Sequence, residues 1–183
     1  FGLSIPEEYG GLGIGMVGKC ALYEEIGATH NGYTTLIGGH TGIGTVGIVE
    51  LGNDEQKSKY LPALASGESI GAFALTEPSA GSNATNLKTT AVLEGDHYII
   101  NGTKHYITNA TEADIFTVMA VTDSSKGAKG ITSFIVEKDF PGFHVGAVEP
   151  KMGLHGSQSA ELILEDCKVP AENVLGEEGQ GYV

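Results

Sequence analysis

The sequence has 183 residues, which suits one domain with a buried core or one and a half domains. It carries 23 acidic residues against ten basic ones, for a formal net charge of −13, and all ten basic residues are lysines. Nucleic-acid binding needs clustered cations to meet the phosphates, so this composition excludes nucleic acid as an expected partner. The absence of arginine also excludes a bidentate guanidinium clamp on phosphate within the chain.

The cysteines and the chain ends give expectations about compartment and completeness. Cys20 and Cys167 lie far apart and match no metal-ligand spacing, so we predict free, buried thiols in a reducing compartment. No apolar run is long enough to span a membrane, and no secretory signal is visible, so no transmembrane segment is expected. The chain starts at Phe1 rather than at a methionine and stops at Val183, and we expect it to be a piece of a longer protein.

The first 68 residues show helical patterns. Apolar residues recur at helical spacing over residues 16–28, and two adjacent glutamates fall on the other face. Asp54 is a good N-cap for a helix over residues 55–65. The segment 34–50 between them is dense in glycine, which disfavours a helix.

From about residue 69 the pattern changes to short apolar or alternating segments separated by turn residues. Many short strands with no helices between them predict an antiparallel barrel or sandwich. The predicted strands are residues 70–76, 87–93, 98–100, 104–108, 115–121, 132–136, 143–148 and 160–164.

Two motifs between residues 73 and 109 carry the candidate site. The first is a strand that stops at Glu77-Pro78 and turns through small residues. The second is predicted as a hairpin with its turn at Asn101-Gly102, and its second strand ends with Tyr106, Ile107 and Thr108. Threonine hydroxyls, backbone N–H groups and an aromatic ring are what a flat heteroaromatic ligand requires.

Simpler interpretations of these patterns remain open from the residues alone. Strand-end threonines are common, so Thr76 and Thr108 could simply end two strands. Two stretches match the dinucleotide-binding glycine spacing, at residues 13–18 and 42–47. Neither follows a convincing strand in a βαβ pattern, so a Rossmann domain is not expected.

The sequence resembles the acyl-CoA dehydrogenase family, and the resemblance covers essentially the whole chain. The flavin-binding signatures of that family are similar to TEPSAGS at 76–82, NGTK at 101–104 and YITN at 106–109. Further matching motifs, in the family's order and spacing, are IPEEYGGL at 5–12, GNDEQK at 52–57, KMGL at 151–154, EDCKVP at 165–170 and NVLG at 173–176.

The resemblance implies an α+β chain organised by segments. Residues 1–68 would be the end of the N-terminal helical domain, with a helix over residues 34–50. Residues 69–183 would be the antiparallel middle β-domain. The family's C-terminal helical domain would lie beyond Val183.

The resemblance implies FAD as the cofactor. In the first motif, Phe73, Leu75 and Thr76 would lie along the pyrimidine side of the flavin. Gly81 and Ser82 would meet the cofactor and the phosphates of acyl-CoA, mostly through backbone N–H groups.

In the second motif, the resemblance places Tyr106 beside the isoalloxazine ring, with Ile107 and Thr108 near the reactive N5. The family often has tryptophan where this chain has Tyr106, so the ring face is kept but an indole N–H contact is lost. Gly38 falls at the floor of the acyl pocket, and a glycine there predicts acceptance of long acyl chains.

The implied activity is α,β-dehydrogenation of fatty acyl-CoA, with electrons passed to an electron-transferring flavoprotein. The catalytic base is expected beyond Val183, so no catalytic residue is assigned here and the fragment alone is expected to be inactive. The alternatives are a same-fold acyl-CoA oxidase or flavin monooxygenase, and a non-catalytic module that binds flavin or acyl-CoA. A homodimer or homotetramer in a bacterial cytoplasm or the mitochondrial matrix is expected.

Other polar residues are given lesser roles. Glu77 is predicted to be structural rather than a general base. His40, His105 and His155 have no partner at metal-ligand spacing in the sequence, so surface or supporting roles are predicted and no metal site.

Overall fold

A computed structural model describes residues 1–182. The first third of the chain is helical and the rest is a sheet. After a 3₁₀ turn at Glu7–Tyr9, the helices are α1 (Met16–Gly27), α2 (Asn31–Gly39), α3 (Val46–Leu51) and α4 (Asp54–Ser66), with a π-helical segment at His40–Gly44 between α2 and α3.

Helix α4 is defined by its two caps. Asn53, and not the predicted Asp54, is the N-cap: its side chain accepts from Gln56 N, while Gln56 Oε1 accepts from Asn53 N. This reciprocal capping box outcompetes a lone aspartate because it satisfies two free N–H groups at once. The helix ends at Gly67, whose φ of 81° is a left-handed C-cap conformation.

The helix expected over residues 34–50 is interrupted. The π-helical segment contains Gly42 at non-helical angles, and α3 begins only at Val46. Gly44 packs directly on the sheet, because a Cβ on Gly44 would lie 2.5 Å from the Gly71 carbonyl oxygen. Gly44 therefore allows close backbone approach and does not belong to a dinucleotide motif.

Eight strands form one sheet, in the order β6-β7-β3-β2-β4-β5-β8, with β1 paired to β4. The pairings are antiparallel except for β1 with β4 and a single parallel pair between β2 and β4. The predicted class, helices followed by a mostly antiparallel sheet, is confirmed. The strands are β1 (Gly71–Ala74), β2 (Thr90–Glu94), β3 (His97–Thr108), β4 (Ile115–Val121), β5 (Ile131–Glu137), β6 (Phe143–Val148), β7 (Ser159–Pro170) and β8 (Val174–Leu175).

The predicted hairpin turn at Asn101-Gly102 is wrong. Strand β3 runs through both residues, and the turn lies upstream at Gly95-Asp96, where Gly95 has a φ of 66°. Gly102 serves a close approach instead, because a Cβ there would lie 2.4 Å from Thr89 Oγ1. An Asn-Gly pair is a strong hairpin signal, but here the glycine is required by a neighbouring strand.

The core has a large cluster within the sheet and a smaller one that joins α4 to it. Strands β4 and β5 each bury six of their seven residues. In the smaller cluster, Leu61 and Leu64 of α4 pack with Ile115 and Ile135 of the sheet. These contacts fix the end of the helical segment against β4 and β5, and β4 pairs with β1, which carries part of the candidate site.

The two thiols differ in environment. Cys167 is buried as predicted, and burial raises its pKa to about 11. Cys20 is exposed on α1, so the prediction of a buried thiol is wrong there. Among the described residues, no helix combines the length and apolarity needed to cross a bilayer.

Candidate functional site

A cleft between the helical segment and the sheet gathers six of the eight residues predicted to bind the cofactor. It has a volume of about 150 Å³. Its lining residues are Gly39, Ile43, Phe73, Leu75, Thr76, Tyr106, Ile107 and Thr108. The two flavin motifs, 30 residues apart at Thr76 and Tyr106, therefore meet at one place.

Backbone hydrogen bonds hold the first motif against the second. The His105 N–H donates to the Thr76 carbonyl at 2.8 Å, directly joining the segment after β1 to β3. The chain then turns back, because Glu77 and Ala80 exchange backbone hydrogen bonds of 3.1 Å. The position of Thr76 in the cleft is thus set by main-chain contacts.

A buried ion pair fixes the same segment from behind. Lys104 Nζ lies 2.8 Å from Glu77 Oε1, with side-chain exposures of 0% and 2%. Lys104 also donates to the Leu75 carbonyl at 3.2 Å, and Glu77 accepts from the N–H groups of Lys88 and Thr89. The sequence patterns gave Lys104 no role, because its partner lies 27 residues away on another element.

The pKa values of this pair reflect burial and pairing. Burial would raise the pKa of Glu77, but hydrogen bonds from Lys104 and from the Thr89 and Lys88 N–H groups outweigh it, and the pKa lies below its usual 4.5. Burial lowers the pKa of Lys104, and Glu77 opposes that shift. A carboxylate held by these donors is committed to structure, which agrees with the structural role predicted for Glu77.

A β-bulge shapes the second motif. The β3–β7 register shifts between Lys104 and Ile107, and Tyr106 within the bulge has a φ of 59°. The bulge turns Tyr106 outward, where the residue is 60% exposed, while Ile107 is buried. The bulge therefore presents one aromatic ring at the cleft without disturbing the core beneath.

The end of β3 is docked on helix α2. Asn109 Nδ2 donates to the Leu36 carbonyl at 3.0 Å. A Cβ on Gly39 would lie 3.3 Å from Thr108 Cγ2, so the glycine permits this close contact. Gly39 and Ile43 also line the cleft but were not predicted to do so. The sequence signal for them was their position in the glycine-rich segment beside Gly38.

Three predicted residues lie outside the cleft. Gly81 and Ser82 are in the exposed loop after Ala80, where a Cβ on Gly81 would contact nothing within 4 Å. Their backbone is therefore accessible to a ligand. Gly38 is half-buried on α2, and a Cβ there would lie 4.0 Å from Tyr23 Cε1.

Two of the three histidines singled out in the sequence have defined environments. His40 is fully buried; its Nε2 donates to the Leu64 carbonyl and its Nδ1 accepts from Gly71 N, so its role is to support the fold. Burial lowers the pKa of His40, which favours this neutral form. His105 lies beside two carboxylates that its sequence spacing did not reveal, because they come from other strands.

The cleft fits the edge of a flat heteroaromatic group. It offers an exposed aromatic ring, apolar side chains and two threonines, and its eight lining residues are all uncharged. Its volume is below the roughly 300–1,000 Å³ of sites that enclose a drug-sized ligand. These residues therefore suit one side of a flavin ring and leave the rest of the cofactor to other surfaces.

Two family models match the chain. The acyl-CoA dehydrogenase N-terminal domain matches residues 1–68, and the acyl-CoA dehydrogenase middle domain matches residues 72–167. The chain is 46% identical, over 99% of its length, to the short-chain specific acyl-CoA dehydrogenase of Clostridium acetobutylicum, and covers 48% of that protein.

The chain is also similar to solved structures. The chain is similar to one in the structure of the electron transferring flavoprotein of Acidaminococcus fermentans, at 49% identity and a TM-score of 0.96, covering 99% of this chain and 48% of that one. It is also similar to the Bacillus anthracis acyl-CoA dehydrogenase complexed with FAD, at 47% identity and a TM-score of 0.92, covering 98% and 31%. The chain spans about half the length of the curated relatives it matches. It belongs to the acyl-CoA dehydrogenase family.

Proposed function

We propose that this chain supplies one side of the flavin site in an FAD-dependent enzyme that dehydrogenates fatty acyl-CoA thioesters at the α and β carbons. The observation that carries the proposal is the cleft in which six predicted flavin residues meet. Membership of the family supports it, as does the Bacillus anthracis relative, whose structure contains FAD.

The chain's own residues would hold and orient the ring. Tyr106 offers its exposed face, Phe73 and Leu75 offer apolar contact, and Thr76 and Thr108 offer hydroxyls to the ring's polar edge. Bound FAD would supply the acceptor for the hydride that leaves the β carbon.

Removal of the α-proton is assigned to a carboxylate outside residues 1–183. The lining residues include no acid, and Glu77 is paired with Lys104 away from the cleft. Losing a positioned base costs on the order of 10²–10⁴ in rate. The isolated chain, mixed with FAD, a long-chain acyl-CoA and a dye acceptor, should therefore show no turnover. Turnover near that of the whole enzyme would place the base within this chain.

We infer a preference for long acyl chains from Gly38. A Cβ on Gly38 would lie 4.0 Å from Tyr23 Cε1, so a larger side chain would fill the room at this position. Each methylene of an acyl chain buried there would contribute about 0.8 kcal/mol. Gly38→Glu should shift kcat/KM of the whole enzyme toward shorter chains. A peak at four carbons that this substitution leaves unchanged would refute the inference and favour the specificity named for the Clostridium relative.

The partners follow from the same proposal. An electron-transferring flavoprotein is the expected acceptor of the electrons, supported by the likeness to a chain in the Acidaminococcus structure. Residues 1–68 and 69–183 would be parts of two domains. A homodimer or homotetramer, in a bacterial cytoplasm or the mitochondrial matrix, is proposed.

The central test is FAD binding by the whole enzyme. The purified protein should be yellow and release FAD. Tyr106→Ala should weaken FAD binding about two- to tenfold, since an aromatic stacking contact contributes roughly 0.5–1.5 kcal/mol. Tyr33→Ala is the matched control, because Tyr33 is equally exposed but lies away from the cleft, and it should leave FAD affinity unchanged. A colourless protein that cannot be reconstituted with FAD would overturn the proposal.

A further inference from the structure

Three metal-ligating side chains meet on the sheet beside the cleft. His105 lies on β3, Glu161 on the neighbouring β7, and Glu149 directly after β6, the next strand along. His105 Nε2 is 2.5 Å from Glu149 Oε1 and 3.7 Å from Glu161 Oε1. All three ligand atoms lie within 4.8 Å of one another.

The backbone holds this cluster in place. His105 lies in the β3 bulge beside Tyr106, and the His105 N–H is anchored on the Thr76 carbonyl. The Glu149 N–H donates to the Ser159 carbonyl at 2.8 Å. His105 and Glu161 are on adjacent strands, which position ligands more rigidly than loops do.

Gly146 leaves room for one of the ligands. A Cβ on Gly146 would lie 3.1 Å from Glu161 Cβ and 3.2 Å from Glu161 Oε2. The glycine therefore lets the Glu161 carboxylate lie over β6 and point toward His105.

We propose that His105, Glu149 and Glu161 form a binding site for a divalent transition-metal ion, with Zn²⁺ the best fit. Imidazole nitrogen and carboxylate oxygen are both ligand types that zinc binds, and a three-ligand set leaves the fourth position to solvent. Imidazole selects transition metals over Mg²⁺ and Ca²⁺, which prefer oxygen ligands alone. Two carboxylates also compensate the charge of the ion.

The distances suit this ion. Ligand atoms on a tetrahedral zinc are about 3.3 Å apart, given bonds of about 2.0–2.1 Å. The pair at 3.7 Å would close slightly, and the pair at 2.5 Å would open by less than about 1 Å as the metal replaces its hydrogen bond. Each side chain is 20–29% exposed, so an ion can enter from solvent.

The site would touch the cleft through one contact. The His105 ring stacks on the Tyr106 ring, with centroids 4.0 Å apart and planes 9° from parallel. A metal on His105 would therefore restrain the ring that lines the cleft.

The test titrates the whole enzyme with ZnCl₂ by calorimetry and with CoCl₂ by visible absorption. One ion should bind per chain, and His105→Ala, Glu149→Gln and Glu161→Gln should each weaken Zn²⁺ binding on the order of 100-fold. Circular dichroism checks that each variant is folded, and the two glutamine variants nearly preserve side-chain shape.

His97→Ala is the matched control. His97 Nδ1 lies 2.6 Å from Asp96 Oδ1, which is about as close as His105 is to Glu149. Within residues 1–182, however, His97 has no second carboxylate placed to complete a three-ligand group. Zn²⁺ affinity should be unchanged in this variant. A wild-type protein that binds no Zn²⁺, or one whose binding survives all three ligand substitutions, would overturn the proposal.

Discussion

The central sheet and the first helix bury very different amounts of surface. Strands β4 and β5 bury six of seven residues each, whereas α1 buries none of its twelve within the described part of the chain. An isolated helix of this length is marginal in water. The sheet is therefore stabilised by its own contacts, and α1 gains little from packing on its neighbours here.

Helix α4 shows that the difference is not simply between helices and strands. It buries Tyr60, Leu61 and Leu64 against the sheet, and Gln56 Nε2 donates to the Glu172 and Val174 carbonyls. The boundary in stability thus falls between α1 and α4. Substitutions on either side of this boundary should separate the two regions, and the predictions below run from the largest expected effect to the smallest.

The largest loss is expected from Lys104→Met. It leaves the Glu77 carboxylate buried without its cation, which costs about 3–5 kcal/mol. Chemical denaturation of the chain measures the free energy of unfolding. Lys59→Met, at an exposed pair with Glu137, is the control and should cost at most about 1 kcal/mol.

The same pair predicts acid sensitivity. The folded-state pKa of Glu77 is lowered, so its contribution to stability is present above the unfolded value near 4.5 and is lost as pH falls through the folded pKa. The double variant Glu77→Gln/Lys104→Met should lack this component and be more stable than Lys104→Met alone. Equal stability of the two variants would mean that the pair does not act as a unit.

Leu61→Ala should cost about 3 kcal/mol, because it opens a cavity between α4 and the sheet. Leu51→Ala is its control, since Leu51 is more than half exposed at the end of α3. A loss at Leu61 no larger than at Leu51 would show that α4 does not share the sheet's core.

Asn53→Ala should cost about 1 kcal/mol by removing the α4 N-cap. Asp54→Ala is the matched control at the neighbouring residue. It should cost less, because Asp54 lies in the first turn and contributes only through the attraction of its charge to the helix dipole. The reverse order, measured by thermal unfolding, would restore Asp54 as the cap.

The smallest effect is expected at α1. Val17 is 86% exposed, so Val17→Ala should change the free energy of unfolding of this chain by at most about 0.5 kcal/mol in either direction. A loss above 2 kcal/mol would place α1 in a packed core.

The sequence predicted strands well where burial decides the structure. Residues 115–121 match β4 at both ends, because a continuous apolar run bounded by turns leaves few alternatives. Residues 143–148 also match β6, although that strand buries only one of its six residues. Local signals failed where a distant residue decided the outcome. Gly102 is required by Thr89, and Gly44 by Gly71, and neither requirement is visible within a short window.

The candidate site likewise contains residues that the sequence predicted and contacts that it did not reveal. The motif residues from Phe73 to Thr76 and from Tyr106 to Thr108 were predicted to share one site, and the structure brings them together. Their binding roles stay predictions. The Lys104–Glu77 pair and the His105 cluster depend on register between strands, which spacing along the chain does not report.

The bulge in β3 also affects which substitutions the protein can tolerate during evolution. Tyr106 is the added residue that points out, while Lys104 and Ile107 on either side keep their inward positions. An exchange of one aromatic side chain for another at residue 106 therefore alters the surface offered to a ligand and leaves strand pairing intact. A mutation at this position can change the exposed side chain in a single step, without a compensating change in the interior.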